Sequence, residues 1–127
     1  MSTPFSATQG LIIMTARIYG PTDYAYVRLA LDTGATLTTI RTAILVSLGY
    51  DPAVSLDRLK LTTGSGVEYV PRISVDKIEA LGRERTGFPL VAHTLPPSAS
   101  VDGVLGLDFL RGQELVIDFR NGSITLT

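Results

Sequence analysis

The sequence contains one short motif whose residue types suit acid–base chemistry, Asp32-Thr33-Gly34. It follows the apolar run 27–31 and precedes a second short apolar stretch, so the carboxylate lies at the end of a predicted buried strand. A carboxylate there is costly to ionise unless nearby donors satisfy it, and a glycine two residues later lets backbone N–H groups approach. The motif therefore predicts a working acid. The alternative interpretation is a plain β-turn at a strand end.

Other side chains that carry chemistry are scarce in this chain. It has no Cys and a single His, His93, which excludes thiol nucleophiles and zinc sites built from Cys and His. His93 falls on one face of a predicted strand, and we assign it no role. Asp102, Asp108 and Asp118 lack the spacing of a calcium loop and are interpreted as capping or surface charges. No phosphate-binding glycine motif is present. We therefore expect no metal and no cofactor.

Two further glycine-containing segments accompany the Asp motif. Gly64-Ser65-Gly66 separates two runs of alternating apolar and polar residues, which predicts the tip of a β-hairpin. Val104-Leu105-Gly106 lies about seventy residues after the Asp motif, and we expect residues 104–110 to form a short helix. The three segments in this order form a more specific pattern than any one of them.

This ordered pattern resembles the retropepsin-like aspartic proteases. The tail Gly106-Leu107-Asp108-Phe109-Leu110 is most similar to their bacterial branch, and the resemblance covers roughly residue 12 to the C-terminus. It implies an all-β fold, namely a closed β-barrel with a flap hairpin and one or two short helices. It also implies an aspartic endopeptidase that cuts peptides bound in an extended form.

The resemblance also implies a homodimer. In that family the chemistry needs two carboxylates, and this chain has one Asp-Thr-Gly and no Asp-Ser-Gly. The second carboxylate is then Asp32 of another copy, placed by a twofold axis. Two carboxylates about 3 Å apart repel by about 5 kcal/mol at an effective dielectric of about 20, so the pair shares one proton. One Asp32 then acts as an acid while the other activates a water.

Further roles follow from the resemblance position by position. The motif itself is assigned to catalysis, as Asp32, Thr33 and Gly34. Substrate binding is assigned to the residue after the motif and to the flap tip, which are Ala35, Thr63, Gly64, Ser65 and Gly66. Structural support beneath the Asp32 loop is assigned to Val104, Leu105 and Gly106, and the terminal strands are expected to interleave between subunits. Retroviral enzymes carry an Asp–Arg pair where this chain has Thr36 and Leu107.

The remaining pattern consists of short strands and one clear helix. Val, Ile and Thr, which favour strands, make up about a quarter of the chain. Apolar spacing from Ile40 to Leu48, followed by Gly49, predicts a helix. Three hairpins are expected, over residues 12–18 with 24–31, 59–63 with 67–75, and 115–119 with 123–127. The last of them turns at Asn121-Gly122, and a further single strand is expected over residues 88–95. A stiff loop is expected at Pro96-Pro97-Ser98.

Length and charge limit the class of protein. The 127 residues suit one domain over 1–127, with residues 1–10 as a candidate flexible extension. A net charge of −1 leaves no basic excess to neutralise nucleic acid, and apolar runs of four residues such as 11–14 cannot cross a membrane. Without a basic, apolar N-terminal signal, we expect a cytoplasmic protein. The alternative function is a non-catalytic peptide-binding or dimerisation module with the same fold, because fold alone does not decide activity.

Overall fold

A closed barrel of six β-strands forms the body of the computed structural model, which describes residues 1–94 and 100–127. The barrel closes because its last strand pairs with its first, from Arg17↔Glu79 to Tyr19↔Lys77. In hydrogen-bonded order the strands are β2 (Ile13–Tyr19), β3 (Tyr24–Leu31), β8 (Gly103–Leu105), β4 (Thr39–Arg41), β7 (Arg83–His93) and β6 (Gly66–Ala80). The pairs β3–β8 and β4–β7 are parallel, and the other pairs of the barrel are antiparallel. The all-β closed barrel expected from the sequence is thereby confirmed.

The first predicted hairpin forms β2 and β3. Met14, Ala16 and Ile18 alternate with more exposed residues along β2 and point into the barrel, as the sequence pattern requires. The connecting turn closes where the backbone N–H of Gly20 donates to the carbonyl oxygen of Asp23 at 2.8 Å. β3 then leads directly into the Asp-Thr-Gly motif.

The predicted helix is also confirmed, as α1 (Thr42–Ser47). Its apolar face buries Leu45 completely, and Leu48 at its C-terminal end is buried with it. Gly49 follows with φ +98°, which is the left-handed conformation that ends many helices and that glycine adopts without steric cost. A short 3-10 helix at Pro52–Val54 leads to the next strand.

The second predicted hairpin consists of β5 (Arg58–Thr63) and β6, joined by a two-residue turn. β6 is 15 residues long because its second half continues into the barrel and pairs with β7. β7 begins at Arg83, five residues before the predicted start, where charged side chains on the solvent-facing side conceal the strand pattern. The predicted loop at Pro96–Ser98 lies outside the described residues.

The expected helix over residues 104–110 is wrong in its first half. Gly103–Leu105 forms β8, and only Leu107–Leu110 is helical, as α2. Val104 pairs with Ala30 of β3 on one side and with Thr39 of β4 on the other. A three-residue strand between two long-range partners leaves no local periodicity, so the apolar run looked helical.

A second, three-stranded sheet is formed by the two ends of the chain, in the order β1 (Ser2–Pro4), β10 (Ser123–Leu126) and β9 (Leu115–Asp118). The predicted C-terminal hairpin is confirmed, but its turn spans residues 119–122 and closes with the N–H of Gly122 on the carbonyl oxygen of Asp118 at 2.9 Å. Within the candidate extension of residues 1–10, β1 pairs with β10 of the same chain.

The hydrophobic core fills the barrel and continues under the terminal sheet. Fully buried Leu29, Ile78 and Phe109 lie in the same cluster as Ile124 of β10. Burial of these side chains supplies the main driving force for folding.

Among the described residues, none of the helices is long and apolar enough to span a membrane. The same residues contain no group of three or more His, Asp or Glu side chains suited to a metal ion.

Candidate active site

Asp32 follows the last residue of β3, at one end of the barrel. Its backbone N–H donates to the carbonyl oxygen of Leu105 in β8 at 3.0 Å, and the preceding Leu31 is paired with the same residue. The loop that carries Asp32 therefore starts from a fixed point on a buried strand. The side chain of Asp32 is half-buried, whereas Thr33 and Gly34 are exposed.

The carboxylate of Asp32 is held by its own loop. The N–H of Gly34 donates to Oδ1 of Asp32 at 2.9 Å, and the N–H of Ala35 donates to the carbonyl oxygen of Asp32 at 3.1 Å. A Cβ atom at position 34 would lie 3.2 Å from the same Oδ1, so a side chain there would crowd the carboxylate. Oδ2 accepts no hydrogen bond from any residue that the structure describes. One oxygen is therefore fixed and the other is available.

The segment Val104-Leu105-Gly106 lies directly against this loop. Beyond it, the N–H of Leu107 donates to the carbonyl oxygen of Ala35 at 2.8 Å. A Cβ atom at position 106 would lie 2.8 Å from that carbonyl oxygen, so only glycine allows this approach. The two segments that the sequence separates by about seventy residues are thus packed together.

A cleft of about 620 Å³ opens beside the motif. Gly34 and Ala35 form part of its wall, next to Asp32. The rest of the wall comes from the end of the Asp32 loop and from β4, β5, β6, β7 and β8, and it is mainly aliphatic, with Leu37, Leu59, Leu61, Val70, Val91 and Val104. Concave, mainly apolar clefts with a few polar groups nearby are typical of ligand-binding sites in proteins.

The family model named aspartyl protease matches residues 14–109 of this chain. The chain belongs to the aspartyl protease family. The match includes the Asp32 loop, the β5–β6 hairpin and β8, which are the parts that surround the cleft. No curated protein sequence matches the chain significantly.

The fold of this aspartyl protease family member is similar to those of three solved structures. A retropepsin-like aspartic protease from Rickettsia conorii matches 99% of this chain and 89% of its own, with a TM-score of 0.71 and 16% identity. The EIAV protease in complex with the inhibitor HBY-793 matches 87% of this chain and 96% of its own, with a TM-score of 0.58 and 22% identity. The retroviral protease-like domain of Ddi1 from Leishmania major matches 94% of this chain and 96% of its own, with a TM-score of 0.59 and 16% identity. The fold is therefore retropepsin-like.

The β5–β6 hairpin of this aspartyl protease family member stands beside the cleft. Of the described residues in this hairpin, those that line the cleft are residues 59–61 of β5 and Val70 of β6. The turn at Gly64 and Ser65 is not part of the cleft wall. Thr63 pairs with Gly66 across that turn, and Gly66 has φ +130°. The structure thus places the assigned tip residues together at the end of the β5–β6 hairpin.

Sequence reasoning missed several residues of the cleft wall, and His93 is the one imidazole side chain among them. His93, to which we assigned no role, lines the cleft at the end of β7, and its Nε2 lies 3.5 Å from Oε2 of Glu68 on β6. The pair connects the β5–β6 hairpin to the barrel. No sequence signal pointed to this pairing, because the two residues are 25 positions apart on strands whose register was not predicted.

Sequence reasoning also misjudged Asp108. We interpreted it as a capping or surface charge, but both of its carboxylate oxygens accept hydrogen bonds from Thr38, which is 0% exposed. Asp108 does lie in the first turn of α2, as expected. Its position as the only charge in the run Val104-Leu105-Gly106-Leu107-Asp108-Phe109-Leu110 was the available signal.

Proposed function

We propose that this protein is an aspartic endopeptidase that works as a homodimer, with Asp32 of each chain supplying one of two catalytic carboxylates. The observation that carries the proposal is the state of the Asp32 carboxylate. One oxygen is fixed by Gly34, which itself lines an apolar cleft, and the other accepts no hydrogen bond from the described residues. A single Asp-Thr-Gly per chain requires a second copy to complete the pair.

In the proposed reaction the two Asp32 side chains share one proton. The ionised carboxylate takes a proton from a water held between them, and the resulting hydroxide attacks the carbonyl carbon of the scissile peptide bond. The protonated Asp32 gives its proton to the carbonyl oxygen, which forms a tetrahedral diol. The Asp32 that took the proton from water then gives it to the amide nitrogen as the C–N bond breaks, while the other Asp32 takes a proton from a diol hydroxyl. The pair again shares one proton, and no acyl-enzyme forms.

The supporting residues have defined parts in this proposal. Gly34 donates its N–H to the catalytic carboxylate, and the exposed Thr33 is free to contact the loop of the second copy. The β5–β6 hairpin acts as the flap, with Thr63, Gly64, Ser65 and Gly66 at its tip. An extended peptide lies in the cleft between this flap and the Asp32 loop, beside Ala35. Its apolar side chains pack on the aliphatic walls.

The decisive experiment compares wild type with Asp32→Asn on a library of unstructured peptides. Asn keeps the shape of Asp but neither carries the charge nor shares the proton, so we expect cleavage to be lost while fold and dimer remain. Asp76→Asn, a change of the same kind on an exposed position of β6, should cleave like wild type. Circular dichroism and sedimentation check that all three proteins are equally folded and associated.

Two outcomes would contradict the proposal. Wild-type turnover by purified Asp32→Asn would remove Asp32 from the chemistry. A folded, dimeric wild type that cuts none of the peptides but binds them would instead support the non-catalytic peptide-binding module.

A further inference from the structure

A buried polar cluster made by Thr38 and Asp108 lies behind the Asp32 loop. Thr38 is the only buried polar or charged residue in the described part of the chain. Its backbone N–H donates to Oδ2 of Asp108 at 2.9 Å, and its Oγ1 hydroxyl donates to Oδ1 at 2.7 Å. Oδ1 also accepts the N–H of Phe109 at 2.9 Å. The two oxygens of the carboxylate therefore accept three hydrogen bonds.

The same hydroxyl also accepts a hydrogen bond. The N–H of Gly106 donates to Oγ1 of Thr38 at 3.1 Å, in a fully buried position. The carbonyl oxygen of Thr38 accepts the N–H of Val91 in β7 at 2.9 Å. Thr38 is thus bonded to α2, to the end of β8 and to β7 at once. Every polar atom of this residue has a partner, so its loss would leave several buried groups unpaired.

The position of these bonds matters because they hold the far end of the active-site loop. The near end is fixed where the N–H of Asp32 donates to Leu105. Between the two ends, the backbone N–H groups of Leu107 and Asp108 donate to the carbonyl oxygens of Ala35 and Thr36 at 2.8 Å and 3.2 Å. The start of α2 therefore lies against the loop and is hydrogen-bonded to it. The bonds between Thr38 and the Asp108 side chain are the last of these contacts along the loop.

We infer that Thr38 and Asp108 are positioning residues, which set the location of the Asp32 carboxylate through the loop that connects them. Neither Thr38 nor Asp108 is among the described residues that line the cleft. The inference deepens the proposed function and rests on it for its catalytic consequence. Two carboxylates that share a proton and a water tolerate little displacement, and a misplacement of about 1 Å costs about 100-fold in rate.

The test uses the full chain with three variants. Thr38→Val keeps the shape but removes the hydroxyl, Asp108→Asn removes the charge and one acceptor, and Thr38→Ser keeps the hydroxyl. Thr15→Val and Asp76→Asn, on exposed positions of β2 and β6, are the matched controls. The first readout is amide hydrogen exchange at Leu107 and Asp108, compared with the ladders of β2–β3 and β6–β7. The second is the separation of kcat and KM on a cleaved peptide.

We expect Thr38→Val and Asp108→Asn to accelerate exchange at Leu107 and Asp108 by about tenfold or more, the change expected from losing a hydrogen bond to a charged acceptor. The strand ladders should change much less. We expect kcat to fall about 10- to 100-fold with little change in KM, and Thr38→Ser to stay close to wild type. If Thr38→Val does not fold, Asp108→Asn and Thr38→Ser allow the same comparison.

Acceleration spread equally over loop and ladders would show a role in global stability alone and would overturn the inference. Unchanged exchange at both amides would overturn it as well. The exchange readout does not depend on catalysis. A wild type without peptidase activity would therefore refute the proposed function, while the exchange pattern would still decide whether Thr38 and Asp108 hold the loop.

Discussion

Gly106, directly after β8, packs closely against the backbone of the Asp32 loop. A Cβ atom there would lie 2.8 Å from the carbonyl oxygen of Ala35 and 2.8 Å from the carbonyl carbon of Leu37. Both contacts are with backbone, which cannot rotate away as a flexible side chain can. The φ of Gly106 is −100°, so the requirement for glycine here is steric and not conformational.

We therefore expect Gly106→Ala to destabilise the protein by about 1–3 kcal/mol, the usual range for overpacking. It should also lower peptidase activity by more than its effect on the folded fraction, because the displaced backbone carries the Asp32 loop. Urea unfolding and kcat/KM on one peptide measure the two effects.

The matched control is Gly10→Ala, because a Cβ atom at position 10 meets nothing within 4 Å. Its unfolding free energy and activity should equal those of wild type. A Gly106→Ala protein that matches wild type in both measurements would show that the loop relaxes without cost and would contradict the steric argument.

At the level of single residues, the sequence identified those that belong to short consecutive motifs. Asp32, Thr33 and Gly34 lie together at a strand end as predicted, and Leu105 and Gly106 lie against them. Thr38 and His93 were missed because their surroundings come from long-range contacts. Thr38 is one of three threonines in residues 36–39, and nothing in the sequence distinguishes it as the one that is fully buried.

Among the elements, prediction succeeded where a local signal existed. The three hairpins had alternating residues and turn glycines, and α1 had both helical spacing and a glycine at its end. Prediction failed for β8, because three residues that pair with strands distant in sequence show no period of their own. It shortened β7 for a related reason, since its exposed first half pairs within the barrel while carrying charged side chains.

The turn between β9 and β10 has an electrostatic stabiliser in Asp118. The backbone N–H of Asn121, its side-chain amide and the backbone N–H of Arg120 all donate to this carboxylate, and these bonds lower the pKa of Asp118 below its usual value of about 3.9. A lowered pKa means that the folded state favours the ionised form. The contribution to stability is full above pH of about 3.9 and is lost as the pH falls through the lower folded pKa.

Asp118→Asn is therefore expected to lower the free energy of unfolding at neutral pH and to lose that effect in acid. The measurement is urea unfolding of both proteins at neutral pH and well below pH of about 3.9. The difference between them should shrink as the wild-type carboxylate becomes protonated. A difference that is constant with pH would assign the effect to turn geometry instead of charge.

At the scale of the whole molecule, one chain completes a barrel but only half of the proposed active site. β6 closes the barrel onto β2, and the terminal sheet forms from β1, β9 and β10 of the same chain. A monomer thus has a complete core of its own. It has one Asp-Thr-Gly, however, so the proposed reaction requires association of two chains, whereas the barrel does not.

This separation predicts how the protein responds to dilution. Peptidase activity per chain should fall as the concentration drops through the dimer dissociation constant, because mass action removes the competent species. Circular dichroism should change little over the same range, since each barrel retains its core. Activity and sedimentation, measured together across a wide concentration range, should follow one curve. Constant activity per chain at concentrations where sedimentation finds only monomer would rule out a site built from two Asp32 carboxylates, because a single chain would then hold all that the reaction needs.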